Sequence, residues 1–254
     1  MKRCFWVDEK SELYKKYHDE EWGVPKHNDH DLFELLILES FQAGLSWITV
    51  LKKRENFRKA FDNFDVQKVA NYSENKIQTL LTNEGIIRSK GKIAAAINNA
   101  KIFIEIQKEF GSFSNYIWEF SDNKVIKNTT NEHLVSSPLS DTISKDLKKR
   151  GMKYVGTVII YSYLQAIGII NDHDKECFKY WLIRYILIKG TSSLRFLSLA
   201  SLWVARAEDK IRLMRAWRAK IYSQVFVDTS GLSPSVWRHM SLRANAKQSS
   251  LFSM

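Results

Sequence analysis

Residues 39–47, Glu-Ser-Phe-Gln-Ala-Gly-Leu-Ser-Trp, place a carboxylate and an amide at the end of one of the most apolar stretches of the chain. The run from Leu32 to Glu39 is apolar on almost every face, so Glu39 cannot simply point at water. A buried carboxylate is costly unless it is paired or hydrogen-bonded. Trp6, Tyr14, Tyr17, Trp22 and Trp47, with Gln42, add aromatic faces and an amide. An acid among such faces suits a pocket for a flat ring that donates hydrogen bonds or carries positive charge. The competing reading is a structural glutamate with a backbone or lysine partner, surrounded by ordinary core aromatics.

A second group is Cys4, His18, His173 and Cys177. On a helix, the His173-x3-Cys177 spacing would put both side chains on one face, a half-site for a tetrahedral metal. Two buried thiols and two polar histidines fit the same spacing, and both readings stay open at this point. His27, His30 and His133 lie in polar, loop-like surroundings and read as solvated.

A third is "LKKRGMKYVG", residues 147–156. Gly151 and Gly156 bracket a tight turn, and the start of a helix at Gly156 and Thr157 offers unpaired N–H groups that suit a phosphate. Lys148, Lys149, Arg150 and Lys153 add positive charge. The stretch reads either as a hairpin gripping a nucleic-acid backbone without reading sequence, or as a solvated basic helix end.

The elements that must carry these residues are helical. Residues 30–44 predict a buried helix, with Leu32, Leu35, Leu36, Glu39 and Ala43 on one stripe. Residues 65–85 predict two short helices closed by Gly85, and residues 89–111 an amphipathic helix with Ile93, Ile97, Ala100, Ile104 and Phe110 near one face. Residues 121–138 have turn composition. A helix N-capped by Ser140 and ended by Gly151 leads through the turn to a second helix. No strand pattern stands out in residues 1–178, so the fold class is all-α.

The chain has 254 residues and a formal net charge of +11. That charge is a property of the tail: residues 179–254 carry 13 Lys/Arg against 3 Asp/Glu, while residues 1–178 carry 26 against 25. Whole-chain charge therefore says little about the core, and local clusters must carry any nucleic-acid argument. Two distant cysteines and an N-terminus without an apolar h-region predict a reduced, cytoplasmic protein. In the tail, residues 181–188 are apolar but too short to span a bilayer, and 203–224 read as a basic amphipathic helix. The domain reading is 1–178 as the helical unit, with its hairpin at about 147–157, and 179–254 as a basic, weakly structured extension.

Taken in order, "RCFWV", "YKKYHDEEWGVP", "LESFQAGLSWITVLKKRENFRKAFDNFD", "NEGIIRSKGKI", "KKRGMKYVGT" and "NDHDKEC" resemble the bacterial DNA-3-methyladenine glycosylase I family across about residues 1–178. The resemblance implies a helix-hairpin-helix glycosylase. Such an enzyme flips 3-methyladenine out of double-stranded alkylated DNA and hydrolyses its bond to deoxyribose. The free base is the product. It further implies one structural zinc ion on Cys4, His18, His173 and Cys177, and Glu39 as the catalytic carboxylate, accepting from the purine edge, of a pocket made with Trp6, Tyr14, Tyr17, Gln42 and Trp47; whether it also activates water stays open at this point. Gly44 and Leu45 match the family's wedge, and Gly151, Lys153, Gly156 and Thr157 its DNA-gripping hairpin. No acid follows the hairpin until Asp172, and no lysine occupies the place of a Schiff-base nucleophile, so a lyase step is not expected. The expected working form is a monomer in the bacterial cytoplasm, associated with the nucleoid. The rival readings are a zinc-stapled DNA-binding protein without chemistry and a helical protein–protein adaptor.

Overall fold

The computed structural model describes residues 2–130 and 132–180. The expectations for residues 181–254 lie outside the described residues. Two helices organise the rest. Helix α2 (Asp29–Gln42) has every residue from Leu32 to Phe41 buried, so it is enclosed on all sides. Helix α6 (Lys90–Phe110) buries Ile93, Ile97, Ala100 and Phe103 and packs against α2. Around them lie α3 (Trp47–Ala60), α4 (Val66–Ala70), α5 (Glu74–Thr82), α7 (Phe113–Glu119), α8 (Pro138–Lys149) and α9 (Thr157–Ala166), with a short α1 (Glu12–Lys16) at the N-terminal edge. Aromatic rings join the layers: Phe33 meets Phe103 at 5.1 Å, and Phe103 stacks on Phe113 at 4.1 Å. Each such ring contributes roughly 1.5–3 kcal/mol by leaving water.

The buried Glu34 is paired. Glu34, 2% exposed, accepts from Arg54 Nε at 2.5 Å and Arg58 Nε at 3.0 Å, and Arg54 also reaches Glu21 at 2.6 Å. Arg54 is a half-buried strut, and Lys53 Nζ donates to the carbonyls of Glu84 and Gly85.

Four local expectations are corrected. Helix α8 is N-capped by Ser137, and Ser140 sits three residues in as the reciprocal half of a capping box. Pro138, which needs no N–H partner, takes the first helical position and pulls the start forward. Helix α5 ends at Thr82 with Asn83 as its cap, because the Asn83 side chain accepts from Gly85 N at 2.8 Å and turns the chain early. Two strands exist, β1 (Ile126–Lys127) and β2 (Ile170–Asn171), paired in parallel. Two residues each are too few to show a period of two. His173 and Cys177 lie in the loop and turn after β2, so loop geometry and not one helical face brings them together.

Candidate active site

Glu39 sits in the last turn of α2 and is 3% exposed. It faces a pocket of about 380 Å³ lined also by Trp6, Tyr14, Tyr17, Trp22, Gln42 and Trp47. That volume lies in the roughly 300–1,000 Å³ range of small-molecule sites. Trp6 meets Trp22 edge-on at 5.0 Å and Tyr14 at 5.5 Å, and Tyr17 leans on Trp47 at 5.3 Å. Glu39 Oε2 and Trp47 Nε1 are both buried without a hydrogen-bond partner. A buried orphan acceptor and a buried orphan donor in one pocket are uncommon, because each forfeits the free energy of a hydrogen bond to water. Burial pushes the Glu39 carboxyl up to about 8, so it is neutral at pH 7 until something positive or hydrogen-bond-donating faces it.

The local fold explains how two adjacent residues serve two places. After α1 the chain widens into one π-helical turn, Tyr17–Glu21. Successive helical residues point in different directions, so Tyr17 enters the pocket while His18 turns to Cys4 and Cys177. π-Turns often mark such sites. The ligand atoms of Cys4, His18, His173 and Cys177 all lie within 4.8 Å of one another, and all four residues are buried. His18 Nε2 is 3.3 Å from Cys4 Sγ and 3.4 Å from Cys177 Sγ. The opposite ring nitrogens are anchored, His18 Nδ1 on Asp19 and His173 Nδ1 on Asn171, each at 2.8 Å. His173 Nε2 is left buried and unpartnered. Burial holds His173 neutral, at about 3. Soft sulfur and neutral nitrogen donors whose outer nitrogens are already fixed fit a tetrahedral metal ion.

The hairpin residues come together in part as expected. Gly151 has φ +97°, which only glycine adopts without strain, and Gly156 caps α9 with open space about its Cα. Lys148, Lys149, Lys153 and Tyr154 are exposed. Arg150 is not a free cation: it pairs with Glu109 at 2.6 Å and Asp146 at 2.8 Å. The Thr157 hydroxyl is likewise turned inward, onto Ser140 and Asp141, so only its backbone is available. Gly44 has φ +77° and Leu45 is 42% exposed, directly after the pocket-bearing helix.

Several lining residues carried no signal in the sequence. Phe5, Val135 and Val158 are exposed apolar side chains at the pocket wall, and His133, exposed as expected, has its ring 3.9 Å from that of Phe5. His27 rests on Trp118 and His30 donates to the Asn63 carbonyl. Asp172 lines the pocket and accepts from Tyr161, Gln165 and Asn128. The i, i+4 spacing of Tyr161 and Gln165 is the one trace of that arrangement readable beforehand.

Fold and site together define a mostly helical protein with an aromatic pocket around a buried acid, beside a cluster of four residues that could hold a metal ion. A family model described as methyladenine glycosylase matches residues 6–180, and the chain belongs to that family. It is 48% identical over 180 residues to DNA-3-methyladenine glycosylase 1 of Escherichia coli K12, covering 70% of this chain and 96% of that protein. It is 43% identical over 179 residues to DNA-3-methyladenine glycosylase of Haemophilus influenzae Rd, covering 69% and 96%. A crystal structure of a tyrosine-to-phenylalanine variant of 3-methyladenine DNA glycosylase I in complex with 3-methyladenine superposes with TM-score 0.68 at 34% identity, covering 71% and 98%.

Proposed function

We propose that this chain is a monofunctional DNA glycosylase that hydrolyses 3-methyladenine from double-stranded alkylated DNA, releases the free base and so initiates base-excision repair. The observation that carries the reading is the unpartnered Glu39 Oε2 in an aromatic pocket with Trp47 Nε1 opposite its acceptor chemistry. N3-methylation leaves the purine in DNA positively charged and its glycosidic bond weakened, so the protein has mainly to extrude the base, hold it and admit water. Trp6, Tyr14, Tyr17 and Trp47 supply faces for the ring, Glu39 accepts from the purine edge, and Gln42 borders it. A cationic ring draws Glu39 into its ionised form, and this charge pairing favours the methylated over the ordinary base. Among the described residues no lysine lines the pocket, in keeping with hydrolysis without a lyase step.

In this reading the fold is a helix-hairpin-helix glycosylase. Gly44 and Leu45 are the wedge that enters the stack as the nucleotide leaves. The backbone of Gly151, Gly156 and Thr157, with Lys153, grips the phosphates. Cys4, His18, His173 and Cys177 hold one zinc ion. Four protein ligands leave it no open position, so when bound it supplies cross-linking of the N-terminus to the loop after β2 and no chemistry. No helix among the described residues is long and apolar enough to cross a membrane. The protein acts as a monomer in the bacterial cytoplasm.

The test is release of free 3-methyladenine from methylated duplex by the full chain, with its metal content measured on the same preparation. Release with one zinc per chain is the expected result. DNA binding without release would instead identify a non-catalytic DNA-binding protein.

A further inference from the structure

Helix α2 ends in an unusual way. It has no basic residue in its last turn, and its chain leaves through Ala43, Gly44 at φ +77° and Leu45. Leu45 N closes a tight turn on the Gln42 carbonyl at 2.6 Å. The carbonyls of Phe41 and Ala43 are taken by a side chain from another helix: Lys92 Nζ donates to them at 2.8 and 2.6 Å. These four residues, Phe41 to Gly44, link the pocket floor at Glu39 to the exposed Leu45. Their path is therefore held by a clamp some 50 residues further along the sequence, on the first turn of α6.

The same helix holds the hairpin. Asn98 Nδ2 donates to the Gly151 carbonyl at 2.9 Å. Asn99, fully buried, donates to the Lys153 carbonyl and accepts from Lys153 N, both at 2.8 Å. Lys92 and Asn99 are seven residues apart, so they lie on one stripe of α6, about 10 Å apart along its axis. One rigid helix thus sets the spacing between the loop before Leu45 and the turn around Gly151.

The geometry points to Lys92 as a positioning residue for excision: it fixes the height and direction of the Gly44-Leu45 wedge relative to the pocket, and through α6 relative to the hairpin. This rests on the glycosylase reading and on the wedge role of Leu45. Lys92 touches neither base nor reacting atoms. Lys92 is half-buried there, and that partial burial lowers its pKa while its ammonium faces the two carbonyls. Removing it should impair extrusion of a stacked, paired base and spare recognition of a base already extruded.

The experiment is single-turnover excision by the full chain on two duplexes, one with 3-methyladenine paired to thymine and one with it opposite an abasic site, where extrusion costs less. Lys92→Met and Lys92→Gln are compared with wild type, with Leu45→Gly as the wedge variant. Asn115→Ala serves as a stability control, because it removes a donor from the Phe110 carbonyl at the far end of α6. Both Lys92 variants should lose about tenfold or more on the paired lesion and less than about threefold on the unpaired one, as Leu45→Gly does. Free 3-methyladenine should quench their tryptophan fluorescence with an affinity within about twofold of wild type. Asn115→Ala should lower Tm and leave the ratio of the two rates unchanged. Equal losses on both duplexes in folded Lys92 variants would overturn the proposal and leave Lys92 as a helix cap. Wild-type activity with a non-selective Leu45→Gly would remove the wedge role and this inference with it. An inactive wild type would instead remove the glycosylase reading.

Discussion

Glu39 Oε2 and Trp47 Nε1 face one pocket from the end of α2 and the start of α3, both buried and both without a partner. The residues between them make a sharp exit from one helix and entry to the next, so four loop and cap positions, Ala43 to Ser46, place an acceptor and a donor around one cavity. The fold maintains this mismatch at a cost, and a ligand that supplies both partners recovers it.

Glu39→Gln keeps the shape and an acceptor oxygen but loses the charge. Binding of the methylated base and its excision should both fall, by about 10–100-fold, the range of a charge-assisted hydrogen bond. Tryptophan fluorescence titration and base release measure the two effects. Unchanged release would leave Glu39 without the role assigned to it.

The same variant should be more stable than wild type, and by a pH-dependent amount. The Glu39 carboxyl is raised to about 8 in the fold from an ordinary 4.5, so the folded state binds its proton more tightly than the unfolded state. Wild-type stability is fully retained below about pH 4.5, declines as pH rises toward 8 and levels off beyond it. The Tm difference between Glu39→Gln and wild type should therefore be near zero at pH 4.5 and widest above pH 8. A constant difference would mean that Glu39 is already ionised and solvated.

Binding follows the opposite sign. The permanently cationic lesion pairs with ionised Glu39, so at pH 7 its binding should release a proton. Its kcat/KM should then rise with pH by up to about tenfold per unit before flattening above about 8. A profile flat from pH 6 to 9 would contradict charge pairing.

Cys177→Ser should lose the bound metal. With it should go the cross-link between Cys4 and His18 near the N-terminus and the loop after β2, shown as a lower Tm and earlier proteolysis of residues 2–22. Metal analysis and thermal unfolding with and without chelator check this. An unchanged Tm in metal-free protein would leave the cluster as four buried side chains with no cross-linking role.

Lys153→Ala should weaken binding to all duplexes about equally and reduce the salt slope by about 1, the loss of one phosphate contact. Arg150→Ala should act mainly on stability, because its guanidinium is spent on Glu109 and Asp146. A sequence-dependent effect of Lys153→Ala would speak for base contacts instead.

The sequence was readable where local patterns carry the fold. The burial of α2, the cap at Gly156 and the left-handed Gly151 follow from periodicity and from glycine's freedom. Glu39 was visible as an acid in an apolar run, and the structure buries it. Less was visible where distant segments meet. Nothing local marks Lys92 as the cap of α2, Arg150 as a paired charge, or Asp172 as the acceptor of three donors. The His173-x3-Cys177 spacing suggested a helix, yet the chain brings both residues to the cluster through a loop anchored by the β1–β2 pair, too short to leave a pattern.

In the proposed function, Glu39 makes this chain a glycosylase for a cationic purine. The most direct measurement is the rate at which free 3-methyladenine appears from methylated duplex under single-turnover conditions, for wild type and Glu39→Gln side by side. Rapid release by wild type and release slowed at least about tenfold by Glu39→Gln is the predicted result. Equal rates for the two proteins, or no release by either, would contradict it.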